Sequence, residues 1–210
     1  VSVGLPRIAV FIDWQNVYKT TAREAFDLTS SPNERGNFAP LKLARILAAG
    51  NGRGKDARLL RVEIHRGLPS SRWDPVGFGA NRRQAAAWRR EAGDTIVPRQ
   101  RPLRYLRGSA QPGRPVEKGI DVALALGVVE ALLTNVIDVA VLFTHDSDLR
   151  PAVEMIARLR GANRIETASW SSRSFSRRLG KVDGVHHHTI SRRVFEMVET
   201  PVNYAHVQNV

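Results

Sequence analysis

The run IAVFIDWQN, Ile8 to Asn16, sets five consecutive apolar residues against an abrupt Asp13-Trp14-Gln15-Asn16 turn. Its length and its β-branched and aromatic content predict a strand buried on both faces from Ile8 to Ile12. A second run, VAVLFTHDSDL, repeats the pattern later in the chain. Its strand is expected over Val139 to Thr144, with Asp146 and Asp148 just beyond it. Asp121 stands between the two, opening an apolar helix that runs from about Gly119 to Leu133. If the two strands are parallel neighbours, their carboxyl ends fall where an open α/β sheet places its ligand. Three carboxylates gathered there repel one another unless a divalent cation neutralises them, so the pattern points to Mg²⁺ or Mn²⁺.

Working outward, a helix is expected after the first strand to about Phe26, followed by a polar loop through Ser30 to Gly36 and a helix from Leu41 to Ala49. Arg58 to His65 reads as the second strand and Gly67 to Gly79 as irregular. A helix follows from Asn81 to Glu91, with Arg82, Arg83, Arg89 and Arg90 facing solvent. Thr95 to Pro98 is a third strand, and a basic, proline-broken stretch continues to Pro115. The Gly119 to Leu133 helix, apolar nearly all round, is expected to be central. Leu149 to Leu159 forms the next helix, with Asp148 as N-cap, and Arg164 to Ala168 the fifth strand. Short helices are expected at Phe175 to Leu179 and Ile190 to Val198, around a polar loop holding His186, His187 and His188. The alternation predicts an α/β fold with a five-stranded, mainly parallel sheet covered on both faces. The expected division is a domain over 1–170, with 171–210 an extension packed on it or completing it.

The 210 residues, 42% apolar, suit one domain. There is no cysteine, hence no disulfide or thiolate zinc site, and no run resembles a membrane span or signal peptide; a cytoplasmic protein is the expectation. Lys and Arg number 32 against 20 Asp and Glu, a formal charge of +12 that favours a polyanionic partner. No amphipathic terminal helix speaks for a membrane. The first strand lacks the glycine-rich turn of a dinucleotide enzyme, and no Walker loop is present.

Taken singly, each acid has an ordinary reading. Asp13 could cap a helix, Asp121 could favour a helix start, and Asp146 and Asp148 could serve as loop and cap residues. Their recurrence at three junctions is what suggests a shared site. Asn16 could turn back toward it, Glu117 lies one helical turn before Asp121, and Lys118 could face phosphate or pair with Glu117. Ser147 and Thr144 could hydrogen-bond a carboxylate or phosphate, or simply stabilise the turn.

Three segments, FIDWQN (Phe11 to Asn16), EKGIDVALALG (Glu117 to Gly127) and VLFTHDSDLRPAV (Val141 to Val153), together resemble the NYN family of PIN-like ribonuclease domains, in the family order. The resemblance implies a PIN-like three-layer α/β/α fold and a magnesium- or manganese-dependent nuclease site. Asp13 with Asn16, Asp121, and the Asp146 and Asp148 pair are its expected residues. Two positions depart from the family pattern. His145 stands where glycine is common, which matters if the turn needs positive φ. Leu149 replaces a frequent aromatic.

The implied chemistry is hydrolysis of RNA phosphodiester bonds, with one or two ions held by Asp13, Asp121, Asp146 and Asp148. RNA is preferred over DNA on the resemblance, not on charge. Arg99, Arg101, Arg104 and Arg107, with Lys118 and Ser147, are the candidate phosphate contacts, with Arg82 and Arg83 as candidate helpers. Tyr105 or Trp73 could stack on a base or merely pack. The rival reading from another class is a non-catalytic RNA-binding module on the same frame.

Overall fold

The computed structural model describes residues 4–28, 36–49, 57–105, 115–173, 175 and 179–205. Six strands form one sheet: β1 (Arg7–Asp13), β2 (Arg58–Leu68), β3 (Ile96–Pro102), β4 (Val139–Phe143), β5 (Ile165–Trp170) and β6 (His186–Ile190). Their order is β3-β2-β1-β4-β5-β6, and every pairing is parallel. The chain builds outward from β1 to β3, then returns to lay β4 on the other side of β1. That reversal opens a crevice between the carboxyl ends of β1 and β4.

The helices are α1 (Arg23–Ala25), α2 (Pro40–Ala48), α3 (Pro75–Ala92), α4 (Ile120–Leu133), α5 (Arg150–Arg160) and α6 (Arg192–Val198). Side chains alternate across the pleat, so β1 feeds two cores. Ile8, Val10 and Ile12 join Leu43 and Leu47 of α2, Trp88 of α3 and Phe195 of α6. Ala9 and Phe11 join Leu124 and Val128 of α4 and Val153 and Ile156 of α5. The result is the expected α/β/α sandwich, with β4 buried throughout and β1 buried from Ile8 onward.

Several local expectations change. The sheet has six strands rather than five, because His186 to His188 lie in β6, not in a loop. Their polarity hides the strand pattern, yet β5 supplies partners to two of them: His188 Nε2 lies 2.6 Å from Glu166 Oε2, and His187 bridges Thr167 (2.8 Å) and Ser169 (2.9 Å). Ile190 belongs to that strand, so the last helix begins only at Arg192. Phe175 to Leu179 includes residues outside those described, as does the Ser30 to Gly36 loop, of which only Gly36 is described.

The segment expected to be irregular is largely regular. β2 runs on to Leu68, and α3 starts at Pro75, where Asp74 Oδ1 accepts from Gly77 N at 2.8 Å. β3 likewise extends to Pro102 into the basic stretch. After β1 the helical segment Gln15–Ala22 is π-helical before the short α1 turn. α4 is not central. It buries Ile120, Leu124, Val128, Ala131 and Leu132 on the sheet and leaves Val122 and Leu126 more than 60% exposed, since a sheet face covers only one stripe of a helix. Among the described residues no helix is long and apolar enough to cross a membrane.

Candidate active site

Asp13 is the last residue of β1, and its neighbour Ile12 pairs with Phe143, the last residue of β4. Beyond Phe143 the chain turns through Thr144, His145 and Asp146. The two strand ends are tied together by a short chain of hydrogen bonds. Thr144 Oγ1 donates to Asp13 Oδ2 (3.0 Å) and accepts from Asp146 N (3.0 Å). Asn16 Oδ1 accepts from His145 N at 2.8 Å, while Asn16 N donates to Asp13 Oδ1 at 3.4 Å. Asp146 Oδ1 accepts from Asp148 N at 2.9 Å. Asp146 rather than Asp148 therefore caps the 3₁₀ turn Ser147–Leu149 that leads into α5.

Asp121 arrives from the other side, in the first turn of α4. The chain enters that helix through Gly119 at φ +74°, a left-handed conformation for which glycine carries no Cβ penalty. Among the described residues, Asp13, Asp121 and Asp146 form the group in which one carboxylate oxygen from each lies within 4.8 Å of the others. Asp148, Glu117, Lys118 and Ser147 stand exposed around it and outside that group.

Asp13 is 4% exposed, and burial pushes its carboxyl up to about 7. The Thr144 hydrogen bond opposes the rise, Asp121 adds to it, Asn16 opposes it and Glu117 adds to it. Asp121 is also raised, first by burial and then by Asp146 and Asp148. Among the described residues the gathered ligand atoms are all carboxylate oxygens, without sulfur or imidazole, a donor set that suits a hard divalent cation such as Mg²⁺ or Mn²⁺.

His145 does not crowd this cluster. Its backbone lacks the positive φ that would strain a side chain, and its ring turns inward, where Nε2 accepts from Trp170 N at 3.0 Å. A backbone N–H can only donate, so Nε2 carries no proton there. Trp170 is in turn anchored by Nε1 donating to Val17 O at 2.8 Å. The residue that replaces the family glycine is thus a strut between the β4 turn and β5.

The basic residues divide. Arg101 and Arg104 are exposed, whereas Arg99 donates to buried Glu63 through Nε at 3.0 Å. Arg107 lies outside the described residues. Arg82 is exposed, but Arg83 is not one of the solvent-facing arginines expected on α3: it is half-buried and holds Tyr204 O (2.7 Å) and Ala205 O (3.3 Å). Tyr105 accepts from Ser70 N at 3.0 Å and is half-buried, while Trp73 is 43% exposed beneath the Arg72 guanidinium, 4.5 Å from its ring centre. Sequence reasoning gave Thr144 too little weight, although a hydroxyl two residues before Asp146 is a recognisable turn-stabilising signal. It passed over Glu63 and Arg66, whose roles depend on strand pairing.

A family model described as NYN domain matches residues 7–183. No curated protein matches the chain. Among solved structures the chain is similar to a protein of unknown function from Vibrio parahaemolyticus, with a TM-score of 0.53 and 22% identity. That match covers 91% of this chain and 96% of the other, and it is a likeness of fold.

Proposed function

The chain belongs to the NYN domain family, and from that premise we propose that it is a divalent-metal-dependent ribonuclease that hydrolyses RNA phosphodiester bonds. The observation that carries this reading is the convergence of Asp13, Asp121 and Asp146 at the topological switch point, one of them buried against its own ionisation. A purely RNA-binding surface would gain nothing from concentrating negative charge there. Asp13, Asp121 and Asp146, with Asp148 as a further or water-mediated ligand, would hold Mg²⁺ or Mn²⁺, which would supply Lewis acidity toward water and phosphate oxygens.

The protein's own contribution is position. Thr144 and Asn16 N hold the Asp13 carboxylate, and Thr144 also fixes the amide of Asp146. Asn16 acts as a positioning residue through His145 N. Lys118, Ser147, Arg101, Arg104 and Arg107 are the proposed phosphate contacts. Arg99 would act mainly through its field, because Glu63 already engages its guanidinium. Residues 171–210 would complete the domain of residues 1–170, since β6 extends its sheet and α6 enters its core.

The test compares wild type with Asp13→Asn on matched RNA and DNA, with no metal, Mg²⁺ or Mn²⁺. RNA cleavage is expected only with a divalent ion, and it should fall on the order of 100-fold in the folded variant. Equal cleavage by both proteins would place the chemistry elsewhere. Tight RNA binding by wild type with no cleavage under any metal condition would replace this proposal with a binding module.

A further inference from the structure

Arg66 sits in β2, one residue beyond the register partner of Asp13, and faces α3. It is only 7% exposed, yet among the described residues no carboxylate lies within ion-pair distance of it. Its Nη1 donates to Gln84 Oε1 at 2.6 Å, and its Nε has no hydrogen-bond partner. Gln84 is itself held by Asn37 Oδ1 at 2.9 Å, and Asn37 donates to Val202 O at 3.0 Å. Beyond Arg66, the groups in this chain, Gln84, Asn37 and the Val202 carbonyl, are neutral. Trp14 and Trp88, with ring centres 5.9 and 5.5 Å from the guanidinium carbon, offer their π faces but no countercharge.

A buried cation without a close counterion costs folding free energy, and the neighbouring buried charge on β2 is handled differently. Buried Glu63 has both Arg61 and Arg99 at 3.0 Å. Arg66 is left instead against a cavity of about 300 Å³ that Tyr18, Asn81, Gln84 and Asn203 also line. Burial brings the guanidinium down to about 10, against the opposing influence of Tyr18 and Glu117, so it stays charged at neutral pH. The acid in the cavity wall, Asp74, has one carboxylate oxygen committed to the amide of Gly77.

We propose that this cavity is an anion subsite that takes the terminal phosphomonoester of a nucleic-acid strand. A guanidinium fork matches phosphate oxygens, and a phosphomonoester carries nearly twice the charge of an internal diester. Because Arg66 is recessed, a strand end reaches it more readily than a phosphate flanked by nucleosides on both sides. The cavity lies beside the carboxyl end of β1, since Gln15, two residues after Asp13, is in its wall and Arg66 follows His65, the register partner of Asp13. The strand as ligand rests on the nuclease reading; the phosphate site itself does not.

Binding is measured with the full chain in EDTA, where cleavage does not intervene, using one short oligoribonucleotide with a 5′-phosphate, a 3′-phosphate or neither, and inorganic phosphate alone. One phosphorylated end should bind about 10-fold tighter than the unphosphorylated strand, an advantage lost in Arg66→Met. Arg66→Met should melt no lower than wild type in phosphate-free buffer, because it removes an unbalanced buried charge. If that variant fails to fold, Arg66→Lys keeps the charge without the fork and should lose most of the preference. Equal binding of all three strands, or a preference that survives both substitutions, overturns the proposal. Arg66-dependent binding of inorganic phosphate without any end preference also overturns the strand-end assignment, leaving a free-phosphate site. Failure of the nuclease reading appears separately, as absent cleavage with metal present.

Discussion

At the scale of single residues, Asp13 carries the sharpest consequence. Its carboxyl sits near 7 in the folded protein against about 4 in an unfolded chain, so between those values the folded state holds a proton the unfolded state has released. Stability therefore falls as pH rises from about 4 through 7, by on the order of 4 kcal/mol if Asp13 acts alone. Asp13→Asn removes that dependence. In EDTA the variant should melt progressively higher than wild type as pH increases over this window and hold a constant lead above it. Millimolar Mg²⁺ at pH 8 should shrink or reverse the lead, because an ion that binds only folded wild type stabilises it. Parallel melting curves at every pH would show that Asp13 is not held protonated. The acids themselves were legible in the sequence as polar breaks after apolar runs. The Thr144 and Asn16 bonds were not, since they join residues 131 and 129 positions apart.

At the scale of elements, β2 shows what a strand inherits from its neighbours. Glu63 is 2% exposed, and burial alone would raise its carboxyl, but His65 at 3.4 Å, Arg99 and Arg61 hold it at about 2. That stabilisation is present above the unfolded value near 4 and is lost as pH falls toward 2. Glu63→Gln should destabilise the protein by roughly 3 kcal/mol at pH 7, because it leaves two arginines facing one another across β2 and β3. Denaturant titrations should show the difference narrowing below pH 4; a pH-independent difference would mean that packing, not charge, accounts for it. The element boundaries follow the same logic. β1 and β4 are apolar on both faces and could be read directly. β6 could not, because His187 and His188 are satisfied by side chains on β5 rather than by an apolar pattern of their own.

For the molecule as a whole, the formal charge of +12 sits on a frame that gathers three of its 20 acids at one crevice. RNA affinity should therefore fall steeply with salt, and Arg101→Ala or Arg104→Ala should each reduce the slope of log K against log salt by about 0.7 for a single strand if it neutralises one phosphate. Arg83→Ala should leave the slope unchanged, since its guanidinium is spent on Tyr204 and Ala205. An unchanged slope in both exposed-arginine variants would move the phosphate track off β3. By itself, the sequence determined the α/β class, two strands buried on both faces and the acids that follow them, because hydrophobic runs and abrupt polar stops are local signals. Tertiary structure alone decided that Asp146 caps the turn, that His145 points inward, that Arg99 is ion-paired while Arg66, among the described residues, has no carboxylate at ion-pair distance, and that a sixth strand extends the sheet. Each of those depends on which groups strand order brings within a few ångströms, a distance that sequence separation does not encode.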